Sequence, residues 1–219
     1  KRQLTTGFAN QFFGYGAGGS FTDADYNIAI GHSALDADTK GNRAVAIGHT
    51  ALSSQNFTTS TDNYNVAIGF SAGLSVTTGN QNTLVGGLVG DALTTGTDNV
   101  AIGYSALSAE DAHGLNVAIG SQALRVQNAG ANAYNVAVGY NAGGATTTGT
   151  GNTLIGGLTG DALTEGNSNV AMGYLALSAD TFGDRAVAIG LNSLATQNFA
   201  TTTDNYNVGV GYQSGMSIT

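Results

Sequence analysis

One five-residue pattern, Asn-Val-Ala-Ile-Gly, returns along the whole chain and constrains the fold more than any other feature. The copy at residues 99 to 103 is typical, and aligning the copies on their last glycine gives twelve repeats spaced by 17, 19 or 21 residues. The repeats end at Gly14, Gly31, Gly48, Gly69, Gly86, Gly103, Gly120, Gly139, Gly156, Gly173, Gly190 and Gly211. A short repeat at a nearly fixed period is typical of a solenoid, in which each turn contacts its neighbours, so we number the turns as rungs 1 to 12.

Each rung carries the signals of a β-strand followed by a sharp corner. Asn opens ten of the rungs, and Ala44 and Ala186 open the other two. A small or β-branched residue follows, then usually Ala, then Ile or Val, and then the glycine. The alternation of β-branched residues favours a strand, and glycine favours a corner. We predict that a second short segment, such as residues 104 to 107, forms a second strand, and that a polar loop completes the rung. We therefore predict an all-β fold, a two-sided parallel β-roll (β-solenoid) of about 12 rungs over residues 10 to 219, with residues 1 to 9 as a linker or the end of a preceding repeat.

The alternation of side chains along a strand predicts which residues face inward. Val100 and Ile102 share one side, while Asn99 and Ala101 share the other. We expect the larger Val and Ile side chains to fill the interior and the small alanines to lie on an outer face, as a trimer interface. That alanine column is Ala29, Ala46, Ala67, Ala101, Ala118, Ala137, Ala171 and Ala188. We expect the stacked Asn side chains to hydrogen-bond along the fibre axis.

A longer period of four rungs divides the chain into three blocks of 70 to 72 residues. Residues 82 to 88, for example, nearly repeat as residues 152 to 158. Each block contains one long loop, at residues 55 to 64, 127 to 134 and 197 to 206. Because strands stack about 4.8 Å apart, twelve rungs predict a rod roughly 58 Å long.

The long loops are the best candidates for contact with a partner, because they bulge from a uniform rod and carry aromatic side chains. Those side chains are Phe57, Tyr64, Tyr134, Phe199 and Tyr206. Exposed aromatic and amide groups suit glycans or protein surfaces. The other interpretation is that these rings pack each loop against the roll or against a neighbouring chain.

The composition argues against several classes of partner. Charged residues make up 9% of the chain, the net charge is −8, and the six basic residues are scattered, which argues against nucleic-acid binding. No apolar run approaches the roughly 18 residues that span a bilayer. The chain begins at Lys1 without a signal sequence, so we expect a fragment whose export and anchoring segments lie elsewhere.

Candidate sites for chemistry are few. His32 and His49 follow the corner glycine in adjacent rungs and could hold a metal ion, although the same position elsewhere is mostly aromatic. His113 lies in a loop without a neighbouring cysteine or histidine. The acidic loop residues do not follow a calcium-binding pattern, so we expect them to form a solvated charged edge. The sequence has no Gly-x-Ser-x-Gly elbow and no phosphate-binding loop. We therefore expect neither catalytic residues nor a cofactor.

The extended repeat Asn-Val-Ala-Ile-Gly-Tyr-Ser-Ala-Leu at residues 99 to 107 resembles the head repeats of trimeric autotransporter adhesins (YadA-like heads). It is more similar still to the 17-residue variants in phage tail-fibre proteins, and the resemblance covers residues 10 to 215. It implies a left-handed parallel β-roll in an intertwined or side-by-side homotrimer. The heads of that family commonly have shorter rungs, so we expect the additional residues here to enlarge the loops.

Together these features predict a structural and adhesive segment of a fibrous surface protein, either a phage tail fibre or a bacterial trimeric adhesin. Such a segment would be extracellular, would assemble with itself, and would attach to a host-cell surface glycan or protein. Two alternatives stay open. One is an extracellular filament formed by end-to-end polymerisation, and the other is a polysaccharide-degrading tailspike, which would need a pair of carboxylates in a cleft.

Overall fold

The computed structural model describes residues 6 to 218 and has an all-β fold, with parallel strands stacked as a solenoid of about twelve turns. No helix occurs within those residues. The strands are β1 (Gln11–Phe13), β2 (Ile28–Ile30), β3 (Gly41–Asn42), β4 (Val45–Ile47), β5 (Thr61–Asp62), β6 (Val66–Ile68), β7 (Thr83–Val85), β8 (Val100–Ile102), β9 (Val117–Ile119), β10 (Val136–Val138), β11 (Thr153–Ile155), β12 (Val170–Met172), β13 (Gly183–Asp184), β14 (Val187–Ile189), β15 (Thr203–Asp204) and β16 (Val208–Val210). The predicted fold class is confirmed.

One strand from each rung enters a single twelve-stranded parallel sheet that runs the length of the chain. Its order is β1-β2-β4-β6-β7-β8-β9-β10-β11-β12-β14-β16. The register keeps equivalent residues side by side, so that Ala101 pairs with Ala118 and Ile102 with Ile119. The remaining strands form two small parallel pairs, β3 with β5 and β13 with β15, between the loops of successive rungs. Each sequence position of the repeat therefore becomes a column along the solenoid.

The other side of the coil is built from hydrogen-bonded turns, so the predicted second strand is wrong. In rung 6, Ser105 and Leu107 both have positive φ, at 52°. The Ser105 N–H donates to Gly87 O in the preceding rung, and the Leu107 N–H donates to Ala123 O in the following rung, each at 3.0 Å. Left-handed conformations are uncommon for residues with a Cβ, but here these hydrogen bonds to both neighbours hold them.

The alanine column lies inside the coil, so the predicted facing of the strands is also wrong. Ala101 and Leu107 are both 0% exposed, whereas Ile102 is 37% exposed on the outside. The interior is narrow, and an alanine on the sheet faces a leucine on the turn segment. All members of the column are fully buried: Ala29, Ala46, Ala67, Ala101, Ala118, Ala137, Ala171 and Ala188. Side chains without accessible surface cannot form a contact with another subunit.

Every fourth rung reverses this pairing of small and large side chains. Leu84 and Leu154 replace alanine on the sheet, and both are fully buried. The turn segments opposite then carry glycine: a Cβ on Gly73 would lie 2.8 Å from Leu84 Cδ1, and one on Gly90 would lie 3.0 Å from Leu84 Cδ2. Most rungs therefore combine alanine with leucine or leucine with glycine. In rung 4, where Ala67 is combined with Gly73, the leucines of the two neighbouring rungs reach the space beside the glycine, as close packing requires. This exchange recurs with the four-rung period of the sequence.

The corner glycines form a column in which successive backbones approach closely. All twelve have φ between 121° and 145°. A Cβ on any of them from Gly14 to Gly190 would lie within 2.7 Å of the carbonyl oxygen of the next corner glycine. Neither the conformation nor the space admits a side chain, which accounts for glycine at this position in every rung.

The opening asparagines form the predicted ladder, and it lies inside the coil. Asn99 Oδ1 accepts the Asn116 N–H at 3.1 Å, while Asn99 Nδ2 donates to Asn82 Oδ1 and to His113 O, each at 3.2 Å. Buried amides must be hydrogen-bonded to be tolerated, and each rung here satisfies the next. The expectation of hydrogen bonds along the axis is confirmed.

In the two rungs that open with alanine, side chains from the long loop accept the hydrogen bonds that the missing asparagine would accept. Ala44 has no side-chain amide, so Asn63 Oδ1 accepts the Asn65 N–H in its place, at 2.9 Å. Gln55 Oε1 accepts from Asn65 Nδ2 at 2.8 Å. Rung 11, which opens with Ala186, uses Asn205 and Gln197 in the same way. The lengths of the loops are therefore linked to the residue that opens the rung.

Candidate functional site

The outer side of the twelve-stranded sheet is the largest candidate surface, and we call it the aliphatic face. It consists of the first and third residues of each strand, which point away from the alanine column. Its members are Gln11, Phe13, Ile28, Ile30, Val45, Ile47, Val66, Ile68, Thr83, Val85, Val100, Ile102, Val117, Ile119, Val136, Val138, Thr153, Ile155, Val170, Met172, Val187, Ile189, Val208 and Val210. None of these residues is charged, and all are half-buried or exposed.

The aliphatic face is large for an apolar surface that a single chain exposes to water. A strip one three-residue strand wide and twelve rungs long covers roughly 580 Å². The largest apolar patch on a monomeric protein is about 300–600 Å², and a stable interface covers about 800 Å² on each partner. The face is therefore at the upper end of what a single chain exposes to water.

A column of aromatic side chains follows the corner glycines. Tyr15, His32, His49 and Phe70 stack in consecutive rungs, with ring centroids 5.1 to 5.5 Å apart. The two imidazoles are nearly parallel, 12° apart, and His49 Nδ1 lies 3.3 Å from Thr50 Oγ1. The structure brings His32 and His49 together as members of an aromatic stack, with no third metal-binding side chain among the described residues grouped with them.

The aromatic residues of the long loops divide into exposed and packed rings. Tyr64, Tyr134 and Tyr206 are 53%, 61% and 64% exposed. Phe57 is only 6% exposed, so its assignment to a partner-contact surface is wrong. Phe199, its equivalent in rung 11, is half-buried. The phenylalanines anchor the loops, and the tyrosines remain available for contact.

Two of the exposed tyrosines are held by an arginine from the preceding rung. The Arg43 guanidinium lies 4.9 Å from the Tyr26 ring centroid and 5.9 Å from that of Tyr64, and its Nε is 3.0 Å from Asp62 Oδ2. This hydrogen bond from Arg43 is the main reason that the pKa of Asp62 is lowered. Arg185, Asp204 and Tyr206 repeat the arrangement in rung 11.

Several carboxyl groups lie inside the coil, unlike the solvated acidic edge that the sequence suggested. Asp38 and Asp180 are 0% exposed and accept hydrogen bonds from Gln55 and Gln197, each at 2.6 Å. Burial raises the pKa of Asp38 in spite of these bonds. Burial also raises the pKa of Asp91 and Asp161, each of which has one carboxylate oxygen without a hydrogen bond.

The described surface offers no enclosed site for a small substrate. Residues 6 to 218 contain no pocket, and none of them forms a helix that is long and apolar enough to cross a membrane. No family model, curated protein or solved structure matches the chain. The features of the described residues that bear on function are therefore the aliphatic face, the aromatic column and the long loops.

Proposed function

We propose that the chain is a structural and adhesive segment of a fibrous surface protein, like those in phage tail fibres and bacterial trimeric adhesins. The observation that carries this proposal is an uninterrupted twelve-stranded ladder with a continuous aliphatic face on its outside. The ladder supplies reach and rigidity, because every rung is hydrogen-bonded to the next. A segment of this kind acts outside the cell, on a virion or a bacterial surface, and binds without catalysing a reaction.

The occupants of the aliphatic face are two further copies of the same chain, in a homotrimer. A copy has the same rung spacing, so its side chains meet those of the face in register along the whole length. The face has no charge to attract a polar partner, and all the charged residues of the chain lie elsewhere. Covering the strip removes apolar surface from water, which is the main driving force of stable association.

Attachment falls to the exposed tyrosines of the long loops. Tyr64, Tyr134 and Tyr206 recur once in each block. Tyrosine combines a large apolar ring with a hydroxyl, which suits both glycans and protein surfaces. A trimer presents each loop three times, so weak individual contacts with a host-cell surface gain avidity.

The proposal is tested by the mass of the chain in solution, measured by light scattering during size exclusion. A mass near three times 21.9 kDa supports it, and a single-chain mass refutes it. A ladder of increasing masses would favour the end-to-end filament. The matched variant changes Val100, Ile102, Val117 and Ile119 to Thr, the residue that the chain itself has at positions 83 and 153 of the face.

This variant keeps β-branched side chains on the strands, so we expect it to fold and to lose the trimer. The control is Leu191→Thr, which removes an aliphatic side chain that is 42% exposed outside the face. If the trimer persists in the fourfold variant, the interface lies elsewhere. A polysaccharide-degrading tailspike would need two carboxylates facing a cleft, and no observation on the described residues favours it.

A further inference from the structure

One place in the middle block, rungs 5 to 8, departs from its equivalents in the other two blocks. Rung 2 has Asp38, Thr39 and Gly41 at the start of its loop, and rung 10 has Asp180, Thr181 and Gly183. Rung 6 has Glu110, Asp111 and His113 at these positions. Each of these three differences between rung 6 and its equivalents introduces or lengthens a side chain that can bind a metal ion. The three side chains lie within four residues of one another in the sequence.

In the outer blocks the buried carboxylate is fully hydrogen-bonded. Asp38 Oδ1 accepts the Gly41 and Phe57 N–H groups at 3.0 and 3.1 Å, and Asp38 Oδ2 accepts from Gln55 Nε2 at 2.6 Å. Asp180 has the same three kinds of partner, from Gly183, Phe199 and Gln197. These carboxylates have no remaining need of a ligand.

In the middle block the corresponding glutamine is directed elsewhere. Rung 7 opens with Asn116 and not with alanine, and Gln127 Nε2 donates to Asn116 Oδ1 at 3.1 Å. Gln127 Oε1 accepts from Asn135 at 3.0 Å. The loop of rung 7 is also two residues shorter than those of rungs 3 and 11, and it donates no hydrogen bond to Glu110. Glu110 therefore loses both donors that its equivalents receive from the following rung.

Glu110 is consequently buried with an unpaired oxygen. Its side chain is 0% exposed, and Oε2 makes no hydrogen bond, while Oε1 accepts only the His113 N–H at 3.3 Å. An unpaired buried carboxylate oxygen is costly, because it has lost its hydration without compensation. Burial raises the pKa of Glu110, because the charged carboxylate has lost its hydration. The group needs either a proton or a cation.

The neighbouring side chains complete a set of cation ligands. His113 Nδ1 lies 3.4 Å from Glu110 Oε1 and makes no hydrogen bond. Tetrahedral zinc sites have ligand distances of about 2.0–2.1 Å, which places two ligands roughly 3.4 Å apart. Ligand atoms of Glu110, Asp111 and His113 all lie within 4.8 Å of one another. Asp111 is exposed and the His113 side chain is 27% exposed, so an ion can enter and retain a water molecule.

We propose that Glu110, Asp111 and His113 bind one divalent transition-metal ion, of which zinc is the representative. Imidazole nitrogen with two carboxylate oxygens suits Zn²⁺ and its neighbours better than Ca²⁺ or Mg²⁺, which prefer all-oxygen ligands. The ion compensates the buried charge of Glu110 and ties the loop of rung 6 together at the centre of the rod. It performs there the role that Gln55 and Gln197 perform in the outer blocks.

The test is titration of Zn²⁺ into the metal-free chain, followed by calorimetry, with thermal unfolding measured in zinc and in EDTA. We expect one ion per chain and a higher unfolding temperature in zinc. His113→Gly introduces the residue found at positions 41 and 183, so it should fold, and it is expected to weaken binding at least about tenfold. Asp111→Thr, matching residues 39 and 181, should also weaken it.

The control replaces His32 and His49 with Tyr and Phe, the rings that flank them in the aromatic column, and should leave zinc binding unchanged. Loss of binding in that control, with full binding in His113→Gly, would overturn the proposal in favour of the surface histidines. An unfolding temperature that does not respond to zinc in the parent chain would also overturn it, because the Glu110–His113 pair would then be satisfied by a proton. Circular dichroism in EDTA verifies that each variant is folded.

Discussion

Replacement of Gly103 by alanine tests the account of the corner column most directly. Gly103 has φ of 133°, and a Cβ there would lie 2.5 Å from both the carbonyl carbon and the carbonyl oxygen of Gly120. The conformation costs about 1–3 kcal/mol for a residue with a side chain. The overlap with rigid backbone adds about 1–3 kcal/mol, as overpacking does. Lower entropy of the unfolded chain offsets about 0.4–1 kcal/mol, which leaves a destabilisation of about 1–6 kcal/mol.

Two further glycines separate the clash from the strained conformation. Gly211 has φ of 121° and Gly130 has φ of 70°, and a Cβ on either would meet nothing within 4 Å. Alanine at these positions carries the conformational cost alone, so the destabilisation should be smaller than at Gly103 by about 1–3 kcal/mol. The assay is urea denaturation followed by circular dichroism, with midpoints compared at equal slope. Because the φ of Gly211 is close to that of Gly103, equal midpoints for the Gly103→Ala and Gly211→Ala variants would refute the close approach of successive corners.

The remaining predictions concern the facing of the strands, the asparagine ladder and the buried acids. Ala101→Arg places a charge inside the coil and should abolish cooperative thermal unfolding. Ile102→Arg on the aliphatic face should leave the monomer folded. A folded Ala101→Arg chain would contradict the burial of the alanine side of the strands. Asn99→Ala removes the acceptor of the buried Asn116 N–H and should cost about 2–4 kcal/mol in urea denaturation; a cost near zero would mean that the ladder is dispensable. Burial raises the pKa of Asp91 and Asp161, so the folded chain binds protons before the unfolded chain as the pH falls. The free energy of unfolding should therefore rise from pH 7 toward about pH 4. The double variant Asp91→Asn with Asp161→Asn should flatten that rise, and an unchanged slope would contradict the prediction.

The period, the strands, the corner glycines and the asparagine ladder could all be predicted from the sequence, because each follows from one position of a regular repeat. Which side of each strand faces inward could also be predicted from the sequence, but only from the residues that depart from the consensus. Leu84 and Leu154 replace alanine, while Thr83 and Thr153 replace valine. A large apolar residue on one side and a polar residue on the other indicate that the alanine side is buried. The prediction placed Val and Ile inside because they are larger than alanine. It did not take into account the leucine that the turn segment contributes to the same interior.

Two features could not be predicted from residue types alone. The positive φ of Ser105 and Leu107 contradicts their intrinsic preference and is maintained by hydrogen bonds to the rungs on either side. The unpaired oxygen of Glu110 follows from the direction of Gln127, which depends on the presence of Asn116 in the next rung. Both are consequences of contacts between rungs, which a consensus of single rungs does not contain.

The aliphatic face is more apolar than the fold itself requires. Interior positions are set by volume, since a leucine lies opposite alanine or glycine, and where Ala67 is combined with Gly73 the leucines of the neighbouring rungs reach the space. Outside, Thr83 and Thr153 occupy the same strand positions as Val100 and Val170, and their strands pair in the same register. Threonine has a β-branched side chain that suits a strand as well as valine does, so strand formation alone would admit it throughout. Its restriction to two of the twenty-four positions of the face is therefore not required by strand formation, and it agrees with the proposed contact with further copies of the chain.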